Sequence, residues 1–453
     1  MPLLAPRRTG GRSWRHAGRG LVWAWGALAL GAGLVAAGVL ALDRPALAVG
    51  VAVLVLVAVL ASTDPLSVAV LAVLGVWITR RGGAGGLDIS GSDALLAVAT
   101  FASVPFVPWS RPSLRRVLAA VVVFEAVLFV TVLAHPSAAG LFEWGHRLFL
   151  TGGAVVVGAA LAHHGRTRPV LSAFLAVTAL VGAAVAAASV TVGGGSAEIL
   201  GFHKNFIGSM MLAGLAVSHL APSSTGFSRF QLAVAKGLCA AGLLGSQSRG
   251  AIIALLAALV VAVVRSGHIR RRSAPLFVIL VPLALFAFFS LRSQVEQREE
   301  GETSSITERD RLRDQGLEAW RESPVFGQGM RFFERGELEL RSDPHNVVVG
   351  SLSETGVVGL AALVGLLAAT VRVTWRLPNE VALAALTIVV ARFVHGLFDI
   401  YWVAATQTLP WLIVGMALGH PGDDQGAGAP GASAHPATEP RTLSASSRIT
   451  SQA

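Results

Sequence analysis

Charge is scarce in this chain, and cysteine scarcer. Only 14% of its 453 residues are charged and 53% are hydrophobic, whereas about a quarter of a soluble domain is charged. That deficit excludes an ordinary soluble globular protein. The single cysteine, Cys239, excludes an intrachain disulfide and any cysteine-based metal cluster. No H-E-x-x-H motif, no D-x-D pair and no phosphate-binding G-x-x-x-x-G-K-[ST] loop occurs, so neither a metal site nor an ATP-driven pump has a motif to stand on. Strand-like alternation is missing too, which argues against a barrel.

What remains is apolar length. Hydrophobic runs of about 17 to 25 residues recur from Leu21 almost to the C-terminus, each able to cross a hydrocarbon core of about 30 Å as a helix. Lipid offers the backbone no partners, so helices do the spanning. The expectation is an all-α polytopic membrane protein with about 12–14 transmembrane helices. We place spans near residues 21–42, 45–61, 65–79, 93–107, 114–134, 147–163, 169–191, 205–221, 230–245, 249–265, 274–291, 346–371, 379–397 and 400–418. The basic segment Arg7 to Arg19 ahead of the first run mimics a secretion signal, but that run is too long and is followed by too many others.

The net charge of +10 is distributed as topology would distribute it rather than as a nucleic-acid surface. With the N-terminus in the cytoplasm, the inside loops carry Arg111, Arg115 and Arg116, then Arg166 and Arg168, Arg229, Arg265 with Arg270–Arg272, and Arg372 with Arg376; Arg80 and Arg81 go against the trend. The organisation expected is a basic cytoplasmic N-terminus (1–20), a helical region (21–291), one long extracytoplasmic loop (292–345), C-terminal spans (346–420) and a disordered cytoplasmic tail (421–453) rich in Gly, Ala, Ser and Pro. Within the loop, Thr307 to Glu322 reads as a helix, Gly327 and Gly329 as a flexible turn, and Phe332 and Phe333 as headgroup-level aromatics.

Polar residues gather where that loop meets the membrane. His345 is a candidate general base, and Asn346 a helix cap or a ligand contact. Glu354 lies nine residues on, about 13 Å deeper along a helix, where a carboxylate needs either an ion partner or a water-filled cavity. Gly350, Gly356 and Gly359 favour close helix contact. Arg249 opens a span, as a snorkelling side chain or as a clamp on a diphosphate. Arg309, Arg311 and Arg313 face the same choice amid Asp310, Asp314 and Glu318. Lys204 suits an anionic ligand and Asn205 a helix cap.

The segments SQSRGA (246–251), PVFGQG (324–329) and DPHNVVVGSLSETGVVGL (343–360), with an arginine-bearing helix ahead of the proline, resemble the O-antigen ligase and O-antigen polymerase superfamily over Gly201 to Leu367. The H-N, seven residues, E-x-G pattern is the strongest part of the likeness. It implies a glycosyltransferase that uses no nucleotide sugar, cofactor or metal, in the cytoplasmic (inner) membrane with both termini in the cytoplasm. The donor implied is a glycan on a polyprenyl, usually undecaprenyl, diphosphate; the acceptor is a glycan, lipid or protein. By that resemblance His345 is the catalytic base, Arg249 and Arg309 hold the diphosphate, and Arg311 is the alternative to Arg309. Val347–Val349 stand where the family has an aromatic. The competing class is a transporter or lipid flippase, which Glu354 keeps in play.

Overall fold

The computed structural model describes residues 57–78 except 58 and 61, then 81–82, 89–191, 196, 199, 201–266, 305–335 and 342–421. Apart from a two-residue antiparallel pair, Arg81–Gly82 (β1) with Ile89–Ser90 (β2), and one isolated bridge from Ile199 to Phe202, the described chain is helix and loop. Its helices are α1 (Pro65–Leu74), α2 (Gly91–Ser103), α3 (Pro112–Ala134), α4 (Ala138–Leu148), α5 (Ala154–His163), α6 (Thr167–Thr191), α7 (Lys204–Leu220), α8 (Pro222–Thr225), α9 (Arg229–Ser246), α10 (Arg249–Ser266), α11 (Ser305–Glu322), α12 (Val347–Arg376), α13 (Glu380–Gly396) and α14 (Thr408–Gly419).

Helix starts are written locally. Asp64, Ser90, Ser137, Ser228, Asn346 and Asn379 each accept hydrogen bonds from first-turn N–H groups, which have no intrahelical acceptor. Among the described residues five helices are long and apolar enough to cross a membrane: Pro112–Ala134, Ala138–His163, Thr167–Thr191, Arg249–Ser266 and Val347–Arg376. The chain is an all-α, multi-pass membrane protein. The spans expected near 21–42 and 274–291, most of 45–61, Arg270–Arg272 and the tail from 422 lie outside the described residues.

The helices sort the polar groups to two ends. At one, Arg111 donates to Leu418 O and His420 O, Arg265 to Leu377 O, and Asn379 to Ala417 O, while Ser224 bonds Glu380. The helices α7, α10 and α12 all start at the other end, where α13 finishes. Backbones approach closely where glycine allows it: Gly158 of α5 lies against Leu412 of α14, and Gly415 and Gly419 of α14 against Val155 and Ala159 of α5.

Three spans depart from expectation. The segment expected to enter at 147 is helical from Ala138, capped by Ser137, and runs through a π turn at Phe149–Gly153. The segment expected from 400 becomes helical only at Thr408. Residues before it are irregular, and Arg392 satisfies the carbonyls of Ile400 and Tyr401 that a helix would have bonded internally.

The third departure organises the site. Gly356, with φ 67° and ψ −167°, breaks α12, a conformation open essentially to glycine alone. The 324–329 segment fills the break. Gln328 N donates to Ser353 O (2.8 Å) and Gly329 N to Glu354 O (2.9 Å), while Val357 N donates to Pro324 O (3.0 Å) and Val358 N to Val325 O (3.3 Å). A Cβ on Gly327 would strike the Glu354–Thr355 peptide, and one on Gly356 the Val325–Phe326 peptide. The turn read as flexible is therefore an interlock. Of the other glycines read as contact points, Gly350 has nothing within 4 Å and the nearest neighbour of Gly359 is Thr355 of its own helix. Phe333 is fully buried rather than at a headgroup level.

Candidate functional site

His345 stands just before α12, at the end where α7 and α10 begin and α13 finishes. Its Nδ1–H donates to Asp399 Oδ1 at 3.3 Å, with both side chains largely shielded (22% and 14% exposed). Asn346 accepts from Val348 N and Val349 N through Oδ1 and donates from Nδ2 to Leu397 O, so the cap reading holds and the same side chain ties α12 to the end of α13. Asp399 also accepts a hydrogen bond from the Asn205 side chain. The Asn205 Oδ1 in turn accepts from Ser248 Oγ at 3.1 Å, and Ser248 Oγ accepts from Ala251 N at the start of α10. Asn205 was expected to cap α7; instead His203 is the cap, its Nδ1 accepting from Asn205 N, which frees the Asn205 amide to face the site.

Burial opposes the charge on Asp399, yet the His345 hydrogen bond, the nearby His395 and Arg392 side chains and the Asn205 amide together hold its pKa at about 2. It is a carboxylate at any physiological pH. A carboxylate fixed on Nδ1–H sets the tautomer of His345 and leaves Nε2 as the basic nitrogen.

Arg249, exposed at the first position of α10, and the half-buried Arg309 of α11 lie within electrostatic reach of each other, and Arg309 within reach of His395. His395 is in turn felt by Asp399. The fold thus gathers His345, Arg249, Arg309 and Asn205 at one place, and seats Lys204 beside Asn205 at the first position of α7. Arg311 is exposed. Arg313 pairs with Asp310 (3.3 Å) and Asp314 (3.2 Å) at the surface, the solvated alternative of its reading.

Glu354 is committed elsewhere. Its Oε2 pairs with Arg147 Nη2 at 2.6 Å, and its Oε1 accepts from Arg331 N at 2.8 Å. Arg147 reaches Glu143 at 2.9 Å, and the Arg331 side chain reaches Glu143 at 3.3 Å. The Arg147 guanidinium also lies 4.7 Å from the Trp402 ring centre. Glu334 also pairs with Arg331 (3.3 Å) and His146 with Glu143 (3.4 Å), so each buried charge of the cluster has an opposite partner. Arg331 is held at φ 57° to aim its N–H at Glu354. A cavity of about 180 Å³ adjoins the cluster, lined by Glu143, Arg147, Arg331, Asp343, Glu354 and Trp402. Burial, then the negative charges of Glu354, Glu334 and Glu143, raise the Asp343 pKa to about 7.

Asp399, Arg392, His395, Glu143, Arg147 and Arg331 were not singled out in the sequence. Arg392 and His395 carried a signal, being ionisable side chains inside an apolar span. Asp399, two residues past that span, carried none. Among the described residues no group of three or more His, Cys, Asp and Glu side chains is gathered for a metal ion.

A family model described as O-Antigen ligase matches residues 234–364. No curated protein matches the chain. The matched stretch holds Arg249, Arg309, Arg311, Arg313, His345, Asn346 and Glu354, whereas Lys204, Asn205, His395, Asp399 and Arg147 lie beyond it.

Proposed function

We propose, from the match of residues 234–364 to a family model described as O-Antigen ligase, that the chain is a membrane glycosyltransferase moving a glycan from a polyprenyl (undecaprenyl) diphosphate to an acceptor hydroxyl. The transfer takes place without a metal, at the outer face of the cytoplasmic membrane, in surface polysaccharide or glycoconjugate synthesis. Arg111, Arg166 and Arg265, which meet at the opposite end, support a cytoplasmic assignment for that end, and with it the cytoplasmic termini expected from the loop charges.

The carrying observation is a histidine oriented by a shielded carboxylate at the start of an apolar helix, the carboxylate being joined through Asn205 and Ser248 to the turn that bears Arg249. In the step proposed, Nε2 of His345 takes the proton of the acceptor hydroxyl while its oxygen attacks the anomeric carbon. The bond from that carbon to the phosphate oxygen breaks, and the lipid diphosphate leaves with the electron pair. Asp399 stabilises the imidazolium that forms. Arg249 and Arg309 neutralise charge growing on the diphosphate, with Arg311 and Lys204 at its periphery and Asn346 and Asn205 fixing the frame. The result is a single displacement with inversion. Ligase and polymerase share this donor site and differ in the acceptor, which is a glycan, lipid or protein.

The flippase alternative drew on Glu354 as an unexplained intramembrane charge, and that carboxylate is taken up by Arg147 and Arg331. The test is His345→Ala and Arg249→Ala in a strain with a measurable surface glycan. Loss of glycan at normal protein levels is expected; normal glycan in both removes the assignment. In reconstituted vesicles, lipid moved across without covalent change would favour the flippase.

A further inference from the structure

His395, near the end of α13, has a tautomer dictated by its neighbours. Its Nδ1 lies 3.3 Å from Arg392 Nη1 and 2.7 Å from Ser209 Oγ. A guanidinium only donates, so Nδ1 accepts and the ring proton of the neutral imidazole resides on Nε2. That Nε2 is buried and has no hydrogen-bond partner among the described residues, in a side chain 2% exposed. An unpaired buried donor costs about 1–3 kcal/mol and calls for an acceptor.

Its position says which acceptor. A Cβ built on Gly250 would lie 2.8 Å from His395 Cδ2 and 3.2 Å from Nε2, so the ring edge is laid against the first turn of α10. There the N–H groups of Arg249 and Gly250 have no intrahelical acceptor, because Ser248 serves only Ala251 and Ile252. The macrodipole of an 18-residue helix adds partial positive charge at the same point. Arg249 leaves from this turn, and Arg309 is within electrostatic reach of both Arg249 and His395.

We propose that the His395 Nε2–H and the open first turn of α10 form a rigid anion cradle, between Arg249 and Arg309, that holds a phosphoryl oxygen of a diphosphate carried on a lipid. Arginines on flexible stems neutralise charge, whereas a buried imidazole and backbone N–H groups fix where one oxygen sits. A side chain at Gly250 would press on the His395 ring and close this approach. His395 is a ligand-binding residue in this scheme, distinct from the proton-accepting His345. The identity of the ligand rests on the glycosyltransferase reading; the cradle itself rests on the orphaned donor.

The test measures binding of farnesyl diphosphate, inorganic pyrophosphate and farnesol to the purified full chain in lipid nanodiscs, for wild type, His395→Gln, His395→Phe and Arg249→Ala. Gln keeps an N–H near the Nε2 position and Phe keeps only the shape. Expected are a roughly tenfold weaker binding of both diphosphates by His395→Phe, equivalent to about 1.4 kcal/mol, and at most a threefold change for His395→Gln. Farnesol binding stays unchanged, and farnesyl diphosphate binds more tightly than pyrophosphate. Wild-type affinity in His395→Phe with loss in Arg249→Ala overturns the cradle and leaves the glycosyltransferase reading standing; wild-type affinity in both overturns both. Equal affinity for the two diphosphates overturns the assignment to a lipid. Should His395→Phe fail to fold, ¹⁵N-histidine spectra of the wild type decide. The Nε2–H signal missing from His395→Gln must move on adding pyrophosphate, and a stationary signal overturns the proposal.

Discussion

Replacing Gly356 by alanine tests whether the interlock between the 324–329 segment and α12 holds the site together. At φ 67° and ψ −167° an L-residue pays about 1–3 kcal/mol in backbone strain, and its Cβ would collide with the Val325–Phe326 peptide. The collision is with backbone, so relief requires the segment to withdraw. Withdrawal breaks the four bonds from Gln328, Gly329, Val357 and Val358, each worth about 0.5–1.5 kcal/mol net. The total is about 3–9 kcal/mol, against a typical folding stability of about 5–15 kcal/mol. We expect Gly356→Ala to melt at least 5 °C or so lower in detergent, to lose hydrogen-exchange protection at those four amides, and to lose transfer activity, because the freed segment leads directly from α11 with Arg309. Gly350→Ala and Gly365→Ala are the controls: both sit in the same helix with nothing within 4 Å, and alanine there is neutral or stabilising by up to about 1 kcal/mol. A Gly356→Ala protein that melts with its controls and keeps amide protection would refute the interlock.

Asp399→Asn keeps the size of the group that orients His345 but removes its charge; transfer should fall by about a hundredfold or more at unchanged protein level, and a rate within threefold of wild type would mean that the pairing is incidental. Glu354→Gln leaves Arg147 with Glu143 as its remaining buried carboxylate partner, costing up to about 3–5 kcal/mol, while pairing it with Arg147→Met should recover part of the loss in a thermal melt; strictly additive losses would contradict the coupling. Burial and the neighbouring carboxylates raise the folded pKa of Asp343 to about 7, well above an ordinary aspartate, so the folded state binds its proton more tightly and stability from this group falls as pH rises from about 4 to 7. Asp343→Asn should therefore melt higher than wild type at pH 8 and converge with it near pH 4, as differential scanning fluorimetry across that range would reveal.

How much of this was legible beforehand differs by residue. The α11 helix, the Asn346 cap and the ion-paired Arg313 follow from local patterns, in which partner and reader are within a turn of each other. The role of Asn205 was misread because two residues at one helix start compete for the cap, and the choice of His203 turns on where the Asn205 amide finds a better acceptor, at Asp399. The glycines at 327 and 356 were visible as glycines but not as partners, since each is required by the backbone of the other's segment.

The sequence by itself determined that the chain lies in a membrane, roughly where its helices fall, and which alternate loops carry the arginines that share one side. Those are properties of a one-dimensional string, apolar length and charge position, which the bilayer reads directly. Only the tertiary structure decided that Glu354 belongs to Arg147 across 207 residues and His345 to Asp399 across 54. In a medium without water a charged group must find its partner inside the protein. Which partner it finds depends on the order and rotation of the packed helices, and neither is written in any single span.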